Sequence, residues 1–317
     1  MDDWLARGAL KAVPRERLRA LSVKSDAKGW LQAGSFLAAL AVTTTGLILT
    51  PPGALALWLP LFVAQGILLN CLYAGQHELS HWTVFRTKPL NDAFGAVFGF
   101  LTLNPFLTDR WAHFAHHRET QNPEKDSELI GMNPFTTASY LINLVGIDFW
   151  YRRVRMILRT AAGQGLEADY WLTADQRRTV IAEARVHVAL WLAIAAVSVT
   201  LRTWLAVELW AAPLLLLKVF HQLQNTGEHV GMPHESNIFT NTRTLRGPAW
   251  MRWLMWNMSY HTAHHAFPGV PFHALPALHA EIVAGLDHPV IERGYLEAQR
   301  EILTWLAGED ARRRAAA

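Results

Sequence analysis

Cysteine is almost missing: Cys71 stands alone in 317 residues. A single thiol excludes an intramolecular disulfide and an iron–sulfur cluster held by cysteines. Cys71 lies in an apolar run and reads as a small core or lipid-facing residue. Charge is scarce too. Asp, Glu, Lys and Arg make up 17% of the chain, below the roughly 25% usual in soluble domains. The net charge is only +3, and no dense basic stripe suggests nucleic acid. There is no Gly/Ser- or Pro-rich linker, no internal repeat, and no low-complexity tract apart from the tail "ARRRAAA". A single domain over 1–317 is therefore expected. The first 30 residues are charged and lack an early apolar core, so no signal peptide is expected.

Apolar and aromatic residues are plentiful. The chain is 51% hydrophobic, with 14 Trp and 14 Phe, a composition that fits a membrane protein with interfacial aromatics. Apolar stretches run at 33–50, 55–75, 93–108, 136–150, 186–201 and 204–221. A helical span needs about 20 such residues at about 1.5 Å rise each. "PPG", Pro51 to Gly53, separates the first two stretches and predicts a helical hairpin. Arg202 and Thr203 separate the last two, which form a second. The arms are short, so tilt or local thinning is expected. The stretch 93–108 contains Asn104 and Pro105, and 136–150 contains Asn143 and Asp148. Both read as interfacial or re-entrant helices. Arg202 is the one basic residue on the turn side of the hairpins, while nearly every other Lys and Arg lies opposite. The positive-inside rule then puts both termini and the polar segments, 1–32, 76–185 and 222–317, in the cytoplasm.

The histidines are concentrated in three boxes: "HELSH" (His77, His81), "HFAHH" (His113, His116, His117) and "HTAHH" (His261, His264, His265). Residues three and four apart share a helix face, so each box presents its imidazoles in one direction, as a metal cluster requires. Imidazole suits Fe, Zn and Cu. The boxes can serve one cluster only from one side of the membrane. Four spans satisfy that parity if the two weak stretches do not cross. In "HQLQNTGEHVG", Asn225 and His229 are four apart. His229 reads as a further ligand, Asn225 as a ligand through water, and His221, one turn earlier, as a neighbour of the substrate path. His187, His234 and His288 read as interfacial or surface residues, His273 and His279 as structural.

Structural zinc sites take four ligands; eight or nine imidazoles point to two metals. Soluble di-iron bundles rely mainly on Glu. A set of neutral imidazoles leaves more positive charge on the metals, which favours oxygen-derived anions. The expected chemistry is reductive O₂ activation and attack on an unactivated C–H bond, with O₂ as co-substrate and two iron ions as cofactor. Outer carboxylates should orient the ligating rings; the candidates are Glu78, Asp109, Glu119, Asp126 and Glu228.

"HELSHWTVFRTKPLND", "RWAHFAHHRETQNPEKDSEL" and "NTRTLRGPAWMRWLMWNMSYHTAHHAFPGVPFHALPALH" resemble the membrane fatty acid desaturase superfamily in its bacterial branch, in the right order over roughly 33–285. The resemblance implies an all-α integral membrane protein with four transmembrane helices in two hairpins. A cytoplasmic helical cap would hold a di-iron site built from the box residues, His229 and Asn225. It departs from many relatives in having Ala263 within box three, where they carry Glu or Gln. The superfamily desaturates, hydroxylates and decarboxylates, and fold does not choose among these. Fatty acyl desaturation is the first expectation. Hydroxylation of an alkyl or lipid-like substrate and alkene-forming decarboxylation follow. A metal-dependent scaffold or transporter would need polar residues in the spans, and a zinc or copper hydrolase is separable by metal analysis. No cytochrome, flavin or ferredoxin segment fits in the chain, so an external donor of ferredoxin, rubredoxin or cytochrome type is expected. The basic stretches 152–159 and 11–24 are candidates for docking it, or for anchoring to lipid headgroups. The implied location is the bacterial inner membrane.

Overall fold

A computed structural model describes residues 12–129, 136–165 and 171–316. Lys11, the first residue of the basic N-terminal stretch, lies outside them. A short helix α1 (Arg15–Leu21) leads into α2 (Asp26–Leu49), whose start is capped by the Ser25 hydroxyl accepting from Lys28 N. Pro51 and Gly53, the latter at φ +87°, turn the chain into α3 (Leu55–Ser80). The two helices pair through apolar flanks. Thr43, Thr44 and Gln65 tie them with side-chain hydrogen bonds, and Gln65 also reaches Leu209 O at 2.9 Å. The hairpin follows the expectation, but α3 runs past the predicted end at 75. It therefore carries box one on the same rigid rod.

Neither weak stretch forms one long helix. The first divides into α4 (Lys88–Leu101) and α5 (Phe106–Glu119), each of 14 residues, separated by the break that Asn104 and Pro105 impose. The second divides at Gly146, which takes φ +82°, into α6 (Thr137–Leu144) and α7 (Ile147–Ala161). Helix α8 (Ala174–Thr200) opens on a capping box between Thr173 and Gln176. It begins twelve residues before the apolar stretch that predicted it.

Among the described residues, α2, α3 and α8 are long and apolar enough to cross a membrane. The fourth expected span, 204–221, is not one helix. It starts as a π-helical turn, Val207–Ala211, continues as α9 (Ala212–Leu216), and breaks at Leu217 before α10 (Lys218–His229). The break puts Lys218 into the interior, 4% exposed, with its ammonium over the Phe149 ring at 3.8 Å.

Beyond α10 the chain folds over the ends of the long helices. It forms α11 (Ile238–Asn241), β1 (Thr244–Arg246), α12 (Ala249–Leu254), α13 (His261–Ala266), a 3₁₀ turn at Phe272–Ala274, α14 (Leu275–Gly285), β2 (Glu292–Gly294) and α15 (Tyr295–Ala316). The strands pair in parallel, with Leu245 opposite Arg293. One core, around Phe36, Leu72, Phe98 and Trp256, joins the long helices to the strap before box three. Gly75 permits that approach: a Cβ there would lie 2.7 Å from the Trp256 ring. A second core around Leu275, Leu278 and Ile282 seats α13.

Candidate metal centre

Four helices bring nine histidines together. Helix α3 ends at Ser80, with His77 in its last turn and His81 as the residue that closes it. Helix α5 carries His113, His116 and His117, α10 ends on His229, and α13 begins with His261 and carries His264 and His265. The nine fall into two groups, each with ligand atoms within 4.8 Å of one another: His77, His81, His113, His117 and His264, and His116, His229, His261 and His265. The groups adjoin, with the His117 and His265 rings stacked at 4.2 Å.

The split corrects the expectation that each box points one way. In both HxxHH boxes the residues four apart share a group and the middle one joins the other. Thus His113 and His117 face the first group while His116 faces the second; His261 and His265 face the second while His264 faces the first. The i+3 and i+4 positions straddle the helix face by about 100° of rotation per residue. Two helices so built bridge both groups.

The Nε2 atoms converge. In the first group His77–His264 and His81–His113 are 2.9 Å apart, His113–His117 2.8 Å and His117–His264 3.1 Å. In the second, His229 lies 2.7 Å from His261 and 3.3 Å from both His116 and His265. The Nδ1 atoms point outward. His116 Nδ1 donates to Asp126 Oδ1 at 2.8 Å. His264 Nδ1 faces Glu78 Oε1 at 3.2 Å, His261 Nδ1 faces Glu228 Oε1 at 3.3 Å, and His113 Nδ1 faces Glu128 Oε1 at 3.5 Å. His229 Nδ1 reaches Asn241 O at 3.3 Å. These carboxylates are themselves held: Glu78 Oε2 accepts from Thr83 Oγ1 at 2.9 Å, and Asp126 accepts from the backbone N–H of Gln121 and Glu128.

A neutral imidazole has one N–H. With that proton on Nδ1, the inward Nε2 lone pairs face each other, which is repulsive unless a cation lies between them. Two ligands 90° apart on one ion, at metal–nitrogen bonds of about 2.1 Å, are separated by about 3 Å. The observed edges match. The residues present therefore fit two metal ions, with outer carboxylates fixing the tautomers. Burial, reinforced by neighbouring imidazoles, holds His113, His117, His261 and His265 well below the usual histidine range and takes His229 to about 4 and His264 to about 3. They stand neutral, as ligands must. His116 is the exception. Burial pulls it down, but Asp126 and Glu128 outweigh that and raise it to about 9.

Comparison with known proteins decides the family. The fatty acid desaturase profile matches residues 17–294. The chain belongs to the fatty acid desaturase family. It is 24% identical over 248 residues to an sn-1 oleoyl-lipid 12-desaturase of Picosynechococcus, covering 72% of this chain and 71% of that one. It is 24% identical over 233 residues to a fatty acid desaturase of Bacillus subtilis, covering 68% and 65%. A Synechocystis sn-1 oleoyl-lipid 12-desaturase is 20% identical over 296 residues, covering 88% and 82%.

The other expected residues of this desaturase-family chain divide. Asn225 lines two small cavities, one beside His116 and His229 and the other beside His77 and His261. His221 also lines the second cavity, with its ring edge-on to Tyr73 and Nδ1 3.1 Å from Lys218 Nζ. Glu78, Asp126 and Glu228 stand behind histidines as expected. Asp109 instead pairs with Tyr73 and Gln76, and Glu119 with Asn122. His187 is buried beside Phe100, and His279 pairs with Glu292. Glu128 was missed. It sits in a turn after α5, where no periodicity marks a face.

Proposed function

We propose that this chain is an O₂-dependent di-iron fatty acyl desaturase of the bacterial inner membrane. His77, His81, His113, His117 and His264 hold one iron, and His116, His229, His261 and His265 the other, with Asn225 reaching the second through water. The convergence of nine Nε2 atoms, backed by buried carboxylates, carries this reading. The relatives named for oleoyl-lipid desaturation support an acyl chain as substrate. The overall reaction takes a –CH₂–CH₂– unit, O₂, two electrons and two protons to –CH=CH– and two waters. Bound irons would supply the O₂ reduction and hydrogen abstraction; the electrons come from a separate ferredoxin, rubredoxin or cytochrome.

The chain's own residues bind, orient and exclude water. A pocket of about 20 Å³ touches both groups through His77 and His261; Tyr73, Ala74, Met255 and Met258 line it together with polar residues such as Gln224, Asn225 and Glu228. Methionines rearrange at low cost, so the side formed by Met255 and Met258 opens for a methylene pair. Two wider grooves, about 650 and 660 Å³, have none of the nine histidines among their lining residues. The broken stretch 204–221 acts as the fourth span, with the cap and both termini cytoplasmic.

The test is anaerobic reconstitution with iron and a chemical reductant, followed by O₂ and a bacterial lipid extract, with products read by mass spectrometry. Loss of two hydrogens from an acyl chain supports desaturation. Gain of one oxygen or release of a volatile alkene refutes it in favour of hydroxylation or decarboxylation.

A further inference from the structure

Helix α5 supplies three of the nine histidines and serves both groups, yet its own N-terminus has no local cap. Pro105 precedes it and offers no side-chain hydrogen bond. The first N–H groups of a helix need acceptors. Two of them find one on another helix. The Glu183 carboxylate, from α8, accepts from Leu107 N at 2.9 and 3.0 Å through its two oxygens and from Thr108 N at 3.2 Å, and lies 3.5 Å from Thr108 Oγ1. Around this contact Leu107 and Trp111 of α5 pack on Val180 and Ile181 of α8 and on Leu172. At its other end α5 is tied by Asp126 to His116 and to the Gln121 backbone.

We infer that Glu183 is a positioning residue for the metal centre: a helix cap supplied in trans by a membrane-length helix, which sets the height and rotation of α5 and so of His113, His116 and His117. Three features separate this from an ordinary surface carboxylate. Both oxygens are used on backbone donors, and a carboxylate at a helix N-terminus also meets the positive end of the helix dipole. The capped turn begins six residues before His113, so a shift of the first turn is carried along the rod. And α5 bridges both groups, so both should respond. This inference rests on reading the nine histidines as metal ligands.

The experiment has two arms on the full-length detergent-solubilised protein. Hydrogen exchange in the metal-free protein reads the Leu107 and Thr108 amides. Titration with Co²⁺, followed by its visible absorption, reads both sites without turnover. Glu183→Ala should accelerate exchange at Leu107 and Thr108 by about tenfold or more and weaken Co²⁺ binding at both sites by about tenfold, the low end of what losing an outer contact costs a metal site. Glu183→Gln keeps an amide oxygen at the Oε2 place, which alone reaches both Leu107 N and Thr108 N, and should bind within about threefold of wild type. If Glu183→Ala fails to fold, the Gln variant decides: Co²⁺ binding weakened as much as tenfold there overturns the proposal. So does a Glu183→Ala protein with wild-type exchange and wild-type cobalt spectra. A wild-type protein that takes up no Co²⁺ instead refutes the metal reading itself, and the exchange arm then still reports whether the cap exists.

Discussion

Replacing Asp126 with alanine isolates one outer carboxylate of the second group. Asp126 is fully buried. It accepts from His116 Nδ1 at 2.8 Å, from Gln121 N at 2.7 Å and from Glu128 N at 2.9 Å. Alanine removes the charge that keeps the proton on His116 Nδ1 and leaves the buried Gln121 N–H and the half-buried Glu128 N–H without this acceptor. Losing an outer partner of a metal ligand costs about 10–100-fold in affinity, or about 1.4–2.7 kcal/mol. Each buried hydrogen bond to a charged group adds about 1.5–3 kcal/mol to folding, so the apo protein should also lose several kcal/mol. Asparagine separates the terms. Its oxygen belongs at Oδ1, which serves His116 and Glu128, and its NH₂ then opposes the Gln121 N–H. Asp126→Asn should fall between wild type and alanine. Competition with a chelator, monitored by bound Co²⁺, reads the effect, which should be confined to one of the two sites. Wild-type affinity at both sites in Asp126→Ala would refute the claim that Asp126 fixes the His116 ligand.

Loading two metals at pH 7 should release about one proton, because in the folded protein His116, raised to about 9, is charged while His229 and His264, lowered to about 4 and 3, are already neutral; calorimetry in buffers of different ionisation enthalpy measures this, and release of several protons contradicts it. The lowered group also sets acid stability: unfolded histidine has a pKa near 6.5, so stability from a depressed histidine is present above that value and lost as pH falls, about 3 kcal/mol for His229 by pH 4. His116 has the opposite sign, contributing below pH 6.5 and losing its share as pH rises through 9; apo-protein melts across pH 4–10 test both. His234→Ala removes only a contact to Gln121 O at 3.1 Å and should keep activity within about twofold, with a stability change within about 0.5 kcal/mol; a loss comparable with His264→Ala would place it in the centre. In a Cys71→Ala background, Pro52→Cys and Thr203→Cys should react with an impermeant thiol reagent on intact cells and Lys88→Cys, Lys125→Cys and Ser236→Cys only after permeabilisation; labelling at Lys125 but not Lys88 from outside would break the topology.

Much of the centre was legible because it is local. The spacing of His113, His116 and His117, and of His261, His264 and His265, is a helical signature that survives without tertiary information, and all nine proposed histidine ligands converge. What spacing did not reveal is the partition, because a one-position rotation decides which group a middle histidine joins. Glu128 lies in a turn, where sequence period carries no facing information. Glu183 caps a helix 75 residues away in the chain, and such contacts leave no local trace. The hairpin at Pro51 was legible from its breakers. The break at Leu217 was not, because "LLLLKVFHQ" contains no Gly or Pro to announce it.

The central claim is that nine imidazoles form two separate metal sites, and metal stoichiometry tests it most directly. Iron measured by mass spectrometry on purified, fully reconstituted protein should give about two ions per chain. His264→Ala and His229→Ala, each of which takes a ligand from a different group, should each fall to about one. One ion per chain in the wild type, or loss of all metal from both variants, would contradict the two-site account.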